Sequence, residues 1–265
     1  MYTKNEIKAQ LAAMGAPRDS VVLIHSSLRA VGETEGRGEG LLQAFIEYFT
    51  AEGGLLCIPT HTWVNVDAVD KPTLDMTSAQ TCIGTLPNIA AAHPMGHRSL
   101  HPTHSMAVFG NGASEFIADE TRCQTPAPPF GCYGKIYEQG GKILLVGVGH
   151  NRNTYLHGVE EMLNVPNRLS SELKPMTVLH KDGTLETRMA HNHCAEGIGD
   201  VSQRYPKYEP AFRFYGHITD GFVGDAAAQL CDARGMKDVL ELIYDRSRGA
   251  ELMLDFEPLD ESLYK

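Results

Sequence analysis

Apolar positions along the chain alternate between a helical and a strand period. Ile7, Leu11 and Met14 recur at helical spacing. They follow Thr3 and Glu6, which are spaced as a capping box, and precede Gly15 and Pro17. A first helix is predicted over 3–14. Val21-Val22-Leu23-Ile24 is short, apolar and β-branched, the mark of a buried strand. A Gly- and Glu-rich loop at 36–40 leads to an amphipathic helix over 41–49 and a second strand over 53–59. Residues 64–80 have no strong period and read as a loop of functional length. A helix over 83–92, a strand over 105–108 and a short helix over 112–119 follow. Pro126, Pro128 and Pro129 mark a loop over 121–134, ahead of a short helix at 135–138. The run 140–149, bounded by glycines, is another buried strand. It feeds a turn with Asn151 or Asn153 as N-cap, then a helix over 154–163 that Pro166 stops.

Beyond Pro166 the period shortens. Two alternating runs, 176–180 and 185–189, flank Asp182-Gly183, a hairpin signal. The stretch 200–210 is irregular and rich in Tyr and Pro. Residues 223–233 and 236–245 are short apolar pieces, the last a helix. Strands alternating with helices, then an antiparallel hairpin, predict an α/β fold. Its central mixed sheet is flanked by helices and extended by the C-terminal hairpin, in a single domain over 1–265. There is no internal repeat.

Composition narrows the function. Hydrophobic residues make up 42% of the 265, and mean hydropathy is −0.23, enough for a sizeable core. No run approaches the roughly 18 apolar residues of a membrane span. The polar start has no signal-peptide core, so no membrane partner and a cytoplasmic location are expected. The six cysteines form no CxxC pair, which argues for reduced thiols and against a zinc ribbon; Cys57 and Cys82 read as core or near-core. A net charge of −10 disfavours a nucleic-acid backbone as partner. It suits a cationic small molecule, and equally plain solubility.

Candidate chemistry concentrates on the helix after the 140–149 strand. Thr154, His157 and Glu160 stand at i, i+3 and i+6, with Glu161 four residues beyond His157, so they share a face. The helix opens beyond the carboxyl end of a strand, where open α/β sheets bind ligands. A histidine beside a carboxylate and a hydroxyl makes a general-base unit; the same spacing also serves an ordinary helical ion pair. His97, His101 and His104 invite a metal reading. Pro94 and Pro102 interrupt that run, and neither an HxxxH helix nor a cysteine pair accompanies it, so no metal is expected.

Six short motifs then stand in one order: His25-Ser26-Ser27-Leu28-Arg29-Ala30-Val31-Gly32; Pro59-Thr60-His61-Thr62-Trp63; Gly84-Thr85-Leu86-Pro87; Arg98-Ser99 with His101-Pro102-Thr103-His104-Ser105; Pro129-Phe130-Gly131; and Thr154-x-x-His157-x-x-Glu160. Together they resemble the aminoglycoside 3-N-acetyltransferase family, over residues 1 to about 245. The resemblance implies an antibiotic N-acetyltransferase-like fold, distinct from the GNAT acetyltransferases, with acetyl-CoA as donor. It implies the 3-amine of a 2-deoxystreptamine antibiotic as acceptor, and hence antibiotic resistance. His25, Ser26, Ser27, Leu28, Arg29, Ala30 and Val31, with Thr103, His104, Ser105 and Phe109, would hold coenzyme A. His157, Glu160 and Thr154 would be catalytic. Trp63 and the carboxylates of Asp67, Asp75, Glu161, Glu196 and Asp200 are candidates for the acceptor and its ammonium groups. Asn88 departs from the acidic residue expected after Leu86-Pro87. Other readings remain at this level: another amine as acceptor, a histidine-rich metal-dependent protein, or a non-catalytic coenzyme A-binding module.

Overall fold

The structure, a computed structural model, describes residues 1–250 and 257–265. In chain order the elements are α1 (Lys4–Ala13), β1 (Val21–Ser26), α2 (Leu28–Val31), α3 (Arg37–Phe49), β2 (Leu55–Pro59), β3 (Leu74–Asp75), α4 (Thr85–Ala92), β4 (His97–Arg98), β5 (Met106–Phe109) and α5 (Ala113–Ile117). They continue with α6 (Cys132–Glu138), β6 (Lys142–Val146), α7 (Tyr155–Met162), β7 (Lys174–Leu179), β8 (Leu185–Ala190), α8 (Glu209–Phe214), β9 (Ile218–Val223), β10 (Ala226–Asp232) and α9 (Ala233–Ser247). The capping box closes as expected: Glu6 N–H donates to Thr3 Oγ1 and Thr3 N–H to Glu6 Oε2.

Among the described residues the main sheet has seven strands in the order β4-β5-β2-β1-β6-β10-β9. β2, β1 and β6 run parallel at its centre, and the flanking pairs are antiparallel. The buried strands are apolar on both faces because helices cover both. Val22, Ile24, Leu144 and Val146 point to one side, against Leu42, Phe45 and Phe49 of α3. Leu23, Ile143 and Leu145 point to the other, against Ile136, Val159, Met236 and Leu240 of α6, α7 and α9. Each such fully buried side chain contributes about 1.5–3 kcal/mol, so the chemistry rests on a rigid frame.

Two expectations change. The hairpin β7–β8 does not extend the main sheet; it pairs with the short β3 in a separate three-stranded sheet. The antiparallel extension comes instead from β9–β10, where the sequence reading has only a short apolar strand-or-helix piece over 223–233. Asn151 and Asn153 do not cap α7. The N-cap is Thr154, preceded by a 3-10 turn over His150–Arg152. The loop after β2 is pinned partly by Asn88, whose Oδ1 accepts from both the N–H and the hydroxyl of Thr81 at 2.8 Å. An acidic residue is thus not needed there.

Gly134 of α6 is held against the preceding loop, where an added Cβ would lie 1.6 Å from the Pro129 carbonyl oxygen. Gly134→Ala is therefore expected to destabilise the protein by about 1–3 kcal/mol or more through forced backbone displacement. Equilibrium urea unfolding measures this, and an unchanged midpoint would contradict the close packing.

Candidate active site

The carboxyl ends of β1, β2 and β6 open onto one cavity of about 1040 Å³. Its longest walls are Ile24 to Ser27, Ile58 to Trp63, Gly147 to His157, and Asn192 to Ser202, joined by Asp67, Leu86, His104 and Arg168 among others. Gly147 lets β6 turn sharply into this rim: its φ is +63°, and a Cβ there would lie 2.4 Å from that of Ala30. β5 runs antiparallel to β2, so its entry residue His104 reaches the same rim.

His157 stands on the first turn of α7 with its ring against the cavity. Its Nδ1 lies 2.7 Å from Tyr205 Oη and 3.3 Å from Glu160 Oε2. Tyr205 donates its hydroxyl to the same Glu160 oxygen at 2.6 Å, and Arg168 Nε donates to Glu160 Oε1 at 2.7 Å. Burial alone would raise the Glu160 carboxyl. The His157 hydrogen bond, the His157 and Arg168 charges and the Tyr205 hydroxyl outweigh it and hold Glu160 below the usual carboxylate range. Among the described residues nothing hydrogen-bonds His157 Nε2.

Other imidazoles surround His157. The His193 ring lies 4.2 Å from that of His157, His104 4.9 Å from His193, and His61 4.4 Å from His104. Burial first, then mutual repulsion, holds His61, His104 and His193 well below the usual histidine range, so they stay neutral. His25 is pushed down to about 3 by burial alone. His61 Nε2 is tied to Tyr133 Oη at 2.8 Å, and Thr154 lines the same cavity wall. His101 is bonded to the Thr125 carbonyl and to the backbone N–H of Thr103 and His104. His97 is exposed on β4.

The cavity gathers some of the expected residues and not others. Thr154 and His157 line it, with Glu160 directly behind. His25, Ser26, Ser27 and His104 line it; Thr103 and Ser105 stand behind His104, where Thr103 Oγ1 bonds His104 Nδ1 and Ser105 Oγ bonds Thr60. The lining ends at Ser27. Leu28 and Ala30 pack on the core, Arg29 faces solvent, and Val31 is buried in the core because α2 turns back over the sheet. Phe109 is likewise core, edge-on to His93. Trp63, Asp67 and Asp200 line the cavity. Asp75 does not: it is spent on the N–H and hydroxyl of Thr77. Glu196 is exposed outside the lining, and Glu161 points away from it, to Thr125 and Ala127. The sequence reading missed Tyr205 and Arg168, which lie in irregular stretches, and His193, at the edge of a loop. The only signal was a cluster of Tyr residues over 200–210.

A partly apolar cleft at the carboxyl ends of parallel strands, holding an oriented histidine, is the place where open α/β enzymes bind their ligands. The aminoglycoside 3-N-acetyltransferase family model matches residues 23–244, and the chain belongs to that family. Aminoglycoside N(3)-acetyltransferase IV of Salmonella sp. is 31% identical over 98% of this chain and 97% of its own. Aminoglycoside N(3)-acetyltransferase VII of Streptomyces paromomycinus is 26% identical, covering 89% of each. A solved histidine-to-alanine variant of aminoglycoside acetyltransferase AAC(3)-IVa, in complex with a gentamicin, superposes with a TM-score of 0.78 at 26% identity, over 100% of this chain and 94% of that one. AAC-IIIb in binary complex with CoASH shares the fold at a TM-score of 0.75 and 20% identity, over 92% and 97%.

Glu161 yields a pH test. Burial pushes its carboxyl up to about 7 despite the hydrogen bonds from Thr125 and Ala127. An unfolded-chain glutamate titrates near 4.5, so folding takes up a proton between those values. Glu161 therefore makes stability fall as pH rises from about 4.5 through about 7, by roughly 3 kcal/mol in all. Glu161→Gln copies the protonated form and is expected to remove that slope. Urea unfolding at pH 5 and pH 8 measures it; equal slopes in both proteins would contradict the assignment.

Proposed function

We propose that this chain is a single-domain cytoplasmic enzyme that moves the acetyl group of acetyl-CoA to the 3-amine of a 2-deoxystreptamine aminoglycoside, with His157 as general base. The observation that carries the residue assignment is the His157 ring at the cavity wall, held through Nδ1 by Tyr205 and Glu160 and leaving Nε2 unbonded. The cavity fits the donor. Ile24, Ile58, Pro59, Leu86 and Val148 give an apolar wall for the pantetheine arm, Ser26 and Ser27 give hydroxyls, and Arg152 brings a cation for phosphate. His25 adds a buried ring nitrogen without a partner, Nε2, in the same wall.

Bound acetyl-CoA supplies an acetyl group already activated as a thioester. His157 Nε2 takes the proton from the acceptor amine as it attacks. Glu160 holds the ring in place and stabilises the resulting imidazolium, as a carboxylate does in a triad. Thr154 sits one turn before the base to donate to the acyl oxygen; loss of such a donor costs about 10²–10³ in rate. Asp200 and Asp67, on opposing loops, face the acceptor's ammonium groups, while the neutral rings of His61, His104 and His193 leave its positive charge unopposed.

Two outcomes are expected. His157→Ala lowers turnover by about 10² or more while coenzyme A still binds. Thiol release from acetyl-CoA across an aminoglycoside panel, beside a coenzyme A titration, measures both, and near-normal turnover would sink the assignment. Asp200→Asn keeps the cap to Ser202 but removes the charge. It is expected to raise the acceptor's KM about fivefold to tenfold at low salt, with the gap closing at high salt. A salt-independent KM equal to wild type would remove Asp200 from the acceptor site.

A further inference from the structure

We propose that Tyr205 is a positioning residue through which Glu160 fixes the proton on His157, so that the short Tyr205 bridge sets the base beside the longer direct histidine–carboxylate contact. The inference rests on the reading of His157 as base.

The distances rank the two routes. Nδ1 of His157 is 2.7 Å from Tyr205 Oη, within hydrogen-bond range, and 3.3 Å from Glu160 Oε2, long for a charge-assisted bond. Tyr205 Oη is 2.6 Å from the same Oε2. A phenol has one proton, and the ionised Glu160 only accepts. The Tyr205 proton therefore goes to Glu160, and its oxygen receives the His157 Nδ1–H. Burial first, and the Glu160 charge next, push the Tyr205 hydroxyl well above the usual phenol range, so it keeps that proton. The opposite tautomer would aim the Nδ1 lone pair at a carboxylate oxygen. The polarity of the relay thus leaves the Nε2 lone pair for the acceptor amine. Arg168, bonded to the other Glu160 oxygen, holds the far end in register. Tyr205 rides on a 3-10 helix, Val201–Tyr208, capped by Asp200 of the cavity wall, so the relay and the acceptor side share one short element.

A double-mutant cycle of Tyr205→Phe and Glu160→Gln tests this, with Tm recorded for each variant. The expected result is a kcat loss of about 10- to 100-fold in Tyr205→Phe. KM for both substrates and the coenzyme A Kd stay at wild-type values, and the double variant is little worse than either single one. Full kcat in Tyr205→Phe alongside a loss in Glu160→Gln would show that the carboxylate acts directly and overturn the relay. Independent additive losses would overturn it too. Imidazole ¹⁵N shifts of the wild-type protein give a readout that needs no variant: Nδ1 must carry the proton, and an Nε2–H tautomer would overturn the proposal. Normal turnover in His157→Ala would instead overturn the reading beneath it, which keeps the two failures distinct.

Discussion

The site depends on a buried negative charge. Glu160 is 2% exposed, and a carboxylate stripped of water is costly unless its oxygens are met by donors. Arg168 meets one oxygen and Tyr205 the other, with His157 beside it. These donors come from three separate segments: α7, the bend after Pro166, and the 3-10 helix over Val201–Tyr208. Satisfying one charge thereby ties together the walls of the cavity and sets the angle of the base. Removal of any donor would leave a charge in a dry place, so the arrangement is specified tightly as well as held.

The sheet explains why the cavity sits where it does. Parallel strands release their chains at the carboxyl edge, and β1, β2 and β6 all turn there within a few residues. Their turns carry Ser26, His61 and Asn153 to one rim. Helices packed on both faces make that edge rigid, whereas the long loop after β2 and the 191–200 segment give the opposing walls. One side of the cavity is thus framed by strand ends and the other is loop-built. That division suits one constant co-substrate and a variable partner.

Charge follows the same plan. The chain carries −10 overall, yet among the described residues the carboxylates at the cavity surface are Asp67 and Asp200, and Asp67 is already bonded to Lys174. The other described lining groups are imidazoles, amides, hydroxyls, apolar side chains and the guanidinium groups of Arg152 and Arg168. Overall acidity supplies a long-range attraction for a cation.

Much of this was legible in the chain. Period and punctuation located most strands and helices to within a few residues, because each element carries its own apolar face and its own stop signal. The spacing of Thr154, His157 and Glu160 put them on one helix face beside the cavity, because helical spacing is a local geometric fact. What the sequence left open were matters of pairing between distant segments. The β7–β8 hairpin is evident from Asp182-Gly183, but hairpin chemistry does not say which sheet it joins. Val31, Phe109, Asp75 and Glu161 stood beside true rim residues in sequence and were turned away by the fold, since neighbours on a helix or strand face different ways. Arg168 had no local signature, and Tyr205 only the cluster of Tyr residues around it. Only tertiary structure brought them to Glu160, because the need they answer, a buried charge without water, exists only once the chain has closed around it.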